Sequence, residues 1–192
     1  MTGIIILAAG ASGRFGSPKQ NLIYEGQTLI QRAIDTAITT GFSPVIVVLG
    51  ANHKVIRPGV QNKNAEVVIN DDWQEGMSSS IRTGIDYLQR TQKDISSVIL
   101  MLCDQPFVTS GLLLQLAENC SDDDIRASAF SGSIGPPACF GSNYFPELLS
   151  LRGNNGAKQL FRKYPHKVIT VPFPLGGTDI DTTDDFNRLK RL

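Results

Sequence analysis

The arrangement of apolar residues constrains this chain more than any other feature. Residues 98–102 are apolar at every position, as a strand covered on both faces must be. Residues 3–8, 44–49 and 66–69 are further short apolar or β-branched runs. Between the first two, Ile30, Ala33, Ile34, Ala37 and Ile38 recur at helical spacing until Gly41 stops them. A second helix is expected over 78–89, with Ile81, Ile85 and Leu88 on its buried face. Strands alternating with amphipathic helices predict an α/β fold, a Rossmann-like three-layer α/β/α arrangement with a mostly parallel central sheet.

Beyond Asp104 the pattern loosens. A helix is expected near 112–119, then an acidic solvated turn at Asp122 to Asp124. A hairpin of 127–130 with 138–141 would reverse at Gly135-Pro136-Pro137. Short helices follow at 143–151 and 157–164, a strand at 168–171 and a closing helix at 184–192. No repeat or low-complexity linker interrupts the 192 residues, which predicts one domain.

Composition removes several classes of function. Lys and Arg total 18 and so do Asp and Glu, so no basic stripe for nucleic acid is expected. No apolar run approaches the roughly eighteen residues of a membrane span. Met1 leads directly into the first apolar run without a basic leader, and the expectation is a cytoplasmic protein. Cys103, Cys120 and Cys139 are widely spaced and distant from His53 and His166, which argues against a disulfide framework or a zinc site. Cys103 continues an apolar strand and is expected to be inert, and the two histidines to be surface or packing residues.

The chemistry concentrates after the first strand, in Leu7-Ala8-Ala9-Gly10-Ala11-Ser12-Gly13-Arg14-Phe15-Gly16-Ser17-Pro18-Lys19. Small residues let the backbone approach a polyphosphate, and successive free N–H groups make an anion-binding concavity. Arg14 and Lys19 supply cationic charge. The segment lacks the Gly-Lys-Ser/Thr of a Walker loop and the spacing of a dinucleotide fingerprint, and Asp35 falls mid-helix, so a dinucleotide-binding oxidoreductase is disfavoured.

Asp104 leaves the most apolar strand at the carboxyl edge of the sheet, where open α/β folds bind ligands. Mg²⁺ takes one or two carboxylates together with phosphate oxygens and water, which suits a lone Asp in that place. Asp179 and Asp181 alternate by two and share a face in extended chain, so either would complete a metal site. Thr182, Asp184 and Asp185 equally read as the capped, acidic start of the last helix.

The loop resembles the Leu-Ala-Ala-Gly-x-Ser-x-Arg-Met-Gly-x-x-Lys signature of the molybdenum cofactor nucleotidyltransferases, with Phe15 in place of Met. Three more segments follow in the family's order, so the resemblance covers nearly the whole chain. Asn70, Trp73, Gly76 and the serines Ser78 to Ser80 are similar to its Asn-x-x-Trp-x-x-Gly segment near the base. Asp104-Gln105-Pro106 is similar to its Asp-x-Pro metal motif. Asp179-Ile180-Asp181-Thr182 is similar to its Asp-Ile-Asp-Thr-Pro-Glu-Asp motif, with Thr183 replacing Pro.

The resemblance implies a nucleotide-diphospho-sugar-transferase-like fold, with residues 1–106 binding nucleotide and 107–192 binding acceptor. It implies a nucleotide site of Leu7, Ala8, Ala9, Gly10, Ser12, Gly13, Arg14, Lys19, Asn70, Gly76 and Ser80. Lys19, Arg14 and Asp104 would be catalytic, with Mg²⁺ on Asp104 and on Asp179 or Asp181. Trp73 is expected to be a wedge beneath the nucleotide loop. Ala9 and Gly135-Pro136-Pro137 are similar to the cytidylyl branch and favour CTP. The implied acceptor is molybdopterin, and the implied partner a molybdenum hydroxylase. GTP as donor, another phosphorylated acceptor, or a carrier that binds the cofactor without turnover are the alternatives.

Overall fold

The computed structural model of the chain describes residues 1–13, 15–61 and 63–190. Strand β1 (Thr2–Ala8) leads through the glycine-rich loop to a small hairpin of β2 (Ile23–Tyr24) and β3 (Gln27–Thr28), and then to helix α1 (Leu29–Thr39). β4 (Val45–Leu49), the single-turn α2 (His53–Ile56), β5 (Glu66–Ile69), α3 (Met77–Thr91) and β6 (Ser97–Leu102) follow. The remainder runs α4 (Ser110–Ala117), β7 (Ile125–Phe130), β8 (Ser133–Gly141), α5 (Phe145–Ser150), α6 (Lys158–Lys163), β9 (Val168–Pro172) and α7 (Thr183–Leu189).

The main sheet has seven strands in the order β5-β4-β1-β6-β8-β7-β9. β5, β4, β1 and β6 are mutually parallel, β8 is antiparallel to both its neighbours, and β7 and β9 pair in parallel. The fold is therefore the expected α/β class with a mostly parallel sheet. β1 alternates its side chains between two cores. Ile4, Ile6 and Ala8 join Ile30, Ala33, Ile34 and Ala37 of α1 and Leu112, Leu113 and Leu116 of α4 on one face. Ile5 and Leu7 join Ile81, Ile85 and Leu88 of α3 and residues of α5 and α6 on the other. Among the described residues no helix is long and apolar enough to cross a membrane.

Local chemistry sets the element ends. Thr28 caps α1 by accepting from Gln31 N while the Gln31 side chain accepts from Thr28 N, a capping box worth about 1 kcal/mol relative to an uncapped start. At Gly84, α3 comes so close to the sheet that a Cβ would lie 2.8 Å from Ile5 Cγ2. This contact packs the middle of α3 directly against the middle of β1.

One sequence expectation is corrected. The β7–β8 hairpin does not reverse at Gly135-Pro136-Pro137; it reverses at Ser131 and Gly132, whose φ values of 47° and 73° are those of a tight two-residue turn. The two prolines stay within β8, next to a register shift between Ala127 and Ser128, where the ladder does not require their missing N–H. The expected final helix ends at Leu189, and residues 191–192 lie outside the described residues.

Candidate active site

The loop after β1 is braced from within. Gln20, 1 % exposed, donates Nε2 to the carbonyls of Ala8 (2.9 Å) and Gly10 (3.1 Å), and its Oε1 accepts from Ser12 Oγ at 3.3 Å. Ser12 Oγ in turn accepts from Lys19 N at 3.0 Å, and Ser12 itself stands in the left-handed region at φ 54°. These bonds fold the loop back on itself, so Lys19 begins its short 3₁₀ turn beside the end of β1. Gln20 was missed in the sequence because a lone Gln next to a Lys looks like solvated surface. Arg14 lies outside the described residues.

Lys19 Nζ donates to Asp104 Oδ2 and, at 2.9 Å, to Asp181 Oδ1. The three residues come from the loop, the end of β6 and the segment before α7. That segment is pinned by Ile180, fully buried, whose N–H bonds the Asp104 carbonyl at 3.0 Å. Burial lowers the proton affinity of the Lys19 ammonium, but the Asp104 and Asp181 carboxylates more than offset it and hold the group charged. Asp179 is pushed up to about 6 by burial and by repulsion from Asp104 and Asp181, against a hydrogen bond with Gln105. Thr182 caps α7 in a capping box with Asp185, so that part of the motif does start the helix.

These carboxylates suit a divalent cation bound with phosphate. Among the described residues Asp104 Oδ1 is buried without a hydrogen-bond partner, an arrangement that carries a desolvation cost and leaves a lone pair for a ligand. Among the described residues no group of three or more His, Cys, Asp or Glu is arranged as a ready metal cage. A cation that keeps water and phosphate oxygens in its shell needs only one or two carboxylates, and Asp104 and Asp181 already converge on the Lys19 ammonium.

Two cavities open at this edge of the sheet. One, about 360 Å³, is lined by Leu7, Ala8, Ala9, Gly10, Lys19, Gly76, Ser80 and Asp104, among others. The other, about 300 Å³, is walled by Ile81, Leu100, Phe130, Pro136, Phe140 and Phe161, with Gln105, Asn154, Asn155, Lys158 and Asp179 as its polar groups. They share Leu7, Met77, Leu102 and Asn154. Of the residues predicted for the nucleotide, Asn70 lies behind the cavity wall. Its Nδ2 donates to Ser79 Oγ (2.8 Å) and Ser80 Oγ (3.0 Å), tying the end of β5 to the start of α3. Ser12 and Gly13 also stand outside the lining, Ser12 as a brace. Trp73 is half-buried at the rim, against Gly50, where a Cβ would lie 2.6 Å from Trp73 Cβ and 2.9 Å from Ala9 Cβ.

Gly76 adopts φ 101°, and a Cβ there would lie 1.8 Å from Asn154 Oδ1, so only glycine lets the 152–156 turn close onto α3. Gln105 Nε2 bonds the carbonyls of Pro136 and Gly176, both at 3.2 Å, which ties β8 and the segment after β9 to the loop after β6. His53 Nδ1 lies 3.1 Å from the Gly50 carbonyl, and His166 is exposed. The apolar cavity was not anticipated, because its wall combines residues from β1, α3, β6, β8 and α6 without a shared motif.

Comparison with known proteins gives concordant results. The MobA-like NTP transferase domain matches residues 4–168. Nicotine blue oxidoreductase of Paenarthrobacter nicotinovorans is 31% identical, over 96% of this chain and 94% of its own. Purine catabolism protein PucB of Bacillus subtilis (strain 168) is 25% identical over 97% and 95% of the two chains. The crystal structure of Rv0371c from Mycobacterium tuberculosis H37Rv superposes with a TM-score of 0.87 at 30% identity, covering 100% of this chain and 97% of that one. Rv0371c has also been crystallised as a complex with manganese, a structure that matches at 28% identity, a TM-score of 0.82, and 100% and 98% coverage.

Proposed function

This chain belongs to the MobA-like NTP transferase family and is a nucleotidyltransferase, and from that premise we propose that it moves CMP from CTP to the phosphate of a molybdopterin-type acceptor, with Mg²⁺. The observation that carries the reading is the pairing of the two cavities across one shared wall, with Lys19, Asp104 and Asp181 at the polar side. The polar cavity, rimmed by small residues and backbone, suits a triphosphate. The apolar one suits the ring system of an acceptor whose phosphate reaches across the wall.

The chemistry is an in-line displacement. An acceptor phosphate oxygen attacks the α-phosphorus of the nucleotide, a new P–O bond forms, and the bond to the β-phosphate oxygen breaks with release of pyrophosphate. The attacking oxygen is already anionic, so positioning and charge neutralisation carry the rate. Lys19 balances charge on the triphosphate, the loop amides orient it, and Gln20 keeps those amides in place. Asp104 and Asp181 would hold Mg²⁺, which supplies Lewis-acid charge at the phosphates when bound. Asp179, in the neighbouring cavity, would set the polarity of its mouth. The Ala9 methyl favours CTP over GTP, and a molybdenum hydroxylase would receive the product.

A second reading draws on the relative named nicotine blue oxidoreductase and on the aromatic wall of the second cavity: an oxidoreductase acting on an aromatic acceptor. One panel separates the two. The protein is mixed with Mg²⁺, molybdenum cofactor and each NTP in turn, and pyrophosphate is followed; in parallel, NADH and NADPH oxidation is followed with an aromatic dye. The expected result is pyrophosphate release greatest with CTP. Release greatest with GTP would remove the cytidylyl assignment alone, and cofactor oxidation without pyrophosphate would replace the reading altogether.

A further inference from the structure

On the far side of β8 from the acceptor cavity, Cys139 Sγ lies 3.4 Å from Cys120 Sγ. Ala138 and Phe140 line the cavity, so strand alternation sends Cys139 into the opposite core, which it shares with α1 and α4. Cys139 is fully buried, while Cys120 is partly exposed on the turn after α4.

The turn is fixed from several directions. Cys120 N bonds the Ala117 carbonyl at 3.2 Å, Ser121 N bonds Asp124 Oδ2 at 2.8 Å, and Gly141 N bonds the Asp124 carbonyl at 2.9 Å. Gly141 lets the turn lie directly on β8, since a Cβ there would be 2.3 Å from the Ser121 and Asp122 carbonyls. Arg126, the register partner of Cys139 on β7, reaches over the same turn and donates Nη1 to the Glu118 carbonyl at 2.6 Å. Two sulfurs in contact on independently anchored segments need only a small adjustment to reach the roughly 2.05 Å of a disulfide.

Their surroundings divide the roles. The Cys120 thiol is drawn below its ordinary range, chiefly by the hydrogen bond from Cys139 and further by Arg126, against partial burial and the carboxylates of Asp124 and Asp122. Cys139, which gives that hydrogen bond and is buried, is pushed well up. Cys103 is pushed up to about 12 by burial beside Asp104 and has no sulfur partner among the described residues, so it serves as an internal control.

We propose that Cys120 and Cys139 form a thiol–disulfide exchange site that is oxidised by low-molecular-weight disulfides. Cys120 thiolate attacks one sulfur of the small disulfide, forming a mixed disulfide and expelling one thiolate, which takes up a proton. Cys139 gives up its proton and attacks Cys120 Sγ, expelling the second small thiol and leaving the Cys120–Cys139 bond. The protein loses two electrons and two protons, and the small disulfide gains them as two thiols. The new bond would tie the turn after α4 to the back of the strand that walls the acceptor cavity.

The test incubates the full chain with oxidised glutathione, quenches with acid, and reads intact mass and a non-reducing peptide map. The expected product lacks two hydrogens, carries no glutathione and contains a Cys120–Cys139 peptide, with Cys103 still alkylatable. Its melting temperature should exceed that of the reduced protein by a few degrees, because the closed loop restricts the unfolded chain. Cys139→Ala, which keeps the core apolar, should trap glutathione on Cys120, and Cys120→Ser should not react. A stable glutathione adduct on the unmodified chain, a bond through Cys103, or no reaction while the protein remains folded would each overturn the proposal.

Discussion

The two cavities meet at four residues, yet they are made in opposite ways. The polar one is lined by the ends of β1 and β6, by small residues and by the start of α3. Its shape is set by backbone position, and among the described residues its charge comes from the Lys19 ammonium between the Asp104 and Asp181 carboxylates. The apolar one is walled by large side chains from distant elements, with Phe140 stacked on Phe161 at a centroid distance of 5.8 Å. A site made of backbone tolerates little change in the chain's path. A site made of side chains can be reshaped by substitution while the sheet stays intact.

The largest test removes the charge at the junction. Asp104→Asn should lower kcat/KM by about a thousandfold while the circular dichroism spectrum is retained, because the amide cannot anchor the cation. Near-normal pyrophosphate release would mean that the polar cavity is not the reaction centre. Lys19→Ala should follow, lowering kcat by about a hundredfold with a smaller rise in KM for the nucleotide. Lys19 and Asp104 are only 16% and 13% exposed, so the same change should also cost about 2–3 kcal/mol in denaturant unfolding by leaving a buried carboxylate unpaired. An unchanged unfolding midpoint would show the trio to be solvated.

A smaller effect sharpens the division itself. Lys158→Ala removes a cation from the apolar cavity and should raise KM for the acceptor about fivefold, leaving KM for the nucleotide unchanged. Should the nucleotide KM move instead, the two cavities have been assigned the wrong way round. The smallest effect is one of pH. Asp179 binds its proton more tightly in the folded chain (about 6) than its ordinary 3.8, so the folded state holds more protons across that interval. Stability of the metal-free protein should therefore fall as pH rises from 3.8 to about 6, and Asp179→Asn should flatten that slope in thermal melts.

The same contrast explains what could be read from the sequence. The parallel strands and α1 were visible because burial on both faces, or on one helical stripe, writes a local period. The loop from Leu7 to Lys19 was visible because small residues and cations sit together in one segment. Gln20 was not, since its bonds to Ala8 and Gly10 depend on the loop already being folded. The proline pair misled because missing N–H groups argue for a turn unless a register shift accommodates them, and that shift belongs to the pairing of two strands. Asp179 and Asp181 read as equivalent by spacing. The buried Ile180 between them fixes the segment so that Asp181 meets Lys19 while Asp179 lines the apolar cavity.

The bond from Ile180 N–H to the Asp104 carbonyl also joins parts of the chain that are synthesised far apart in time. Lys19 and Asp104 are made long before Asp181, which lies 162 positions after the lysine it meets. A nascent chain could complete its sheet core around β1, β4 and β6 while the reaction centre still lacks its third charge. Competence would then arrive as a late event in translation, when the last segment docks onto a scaffold that is already folded.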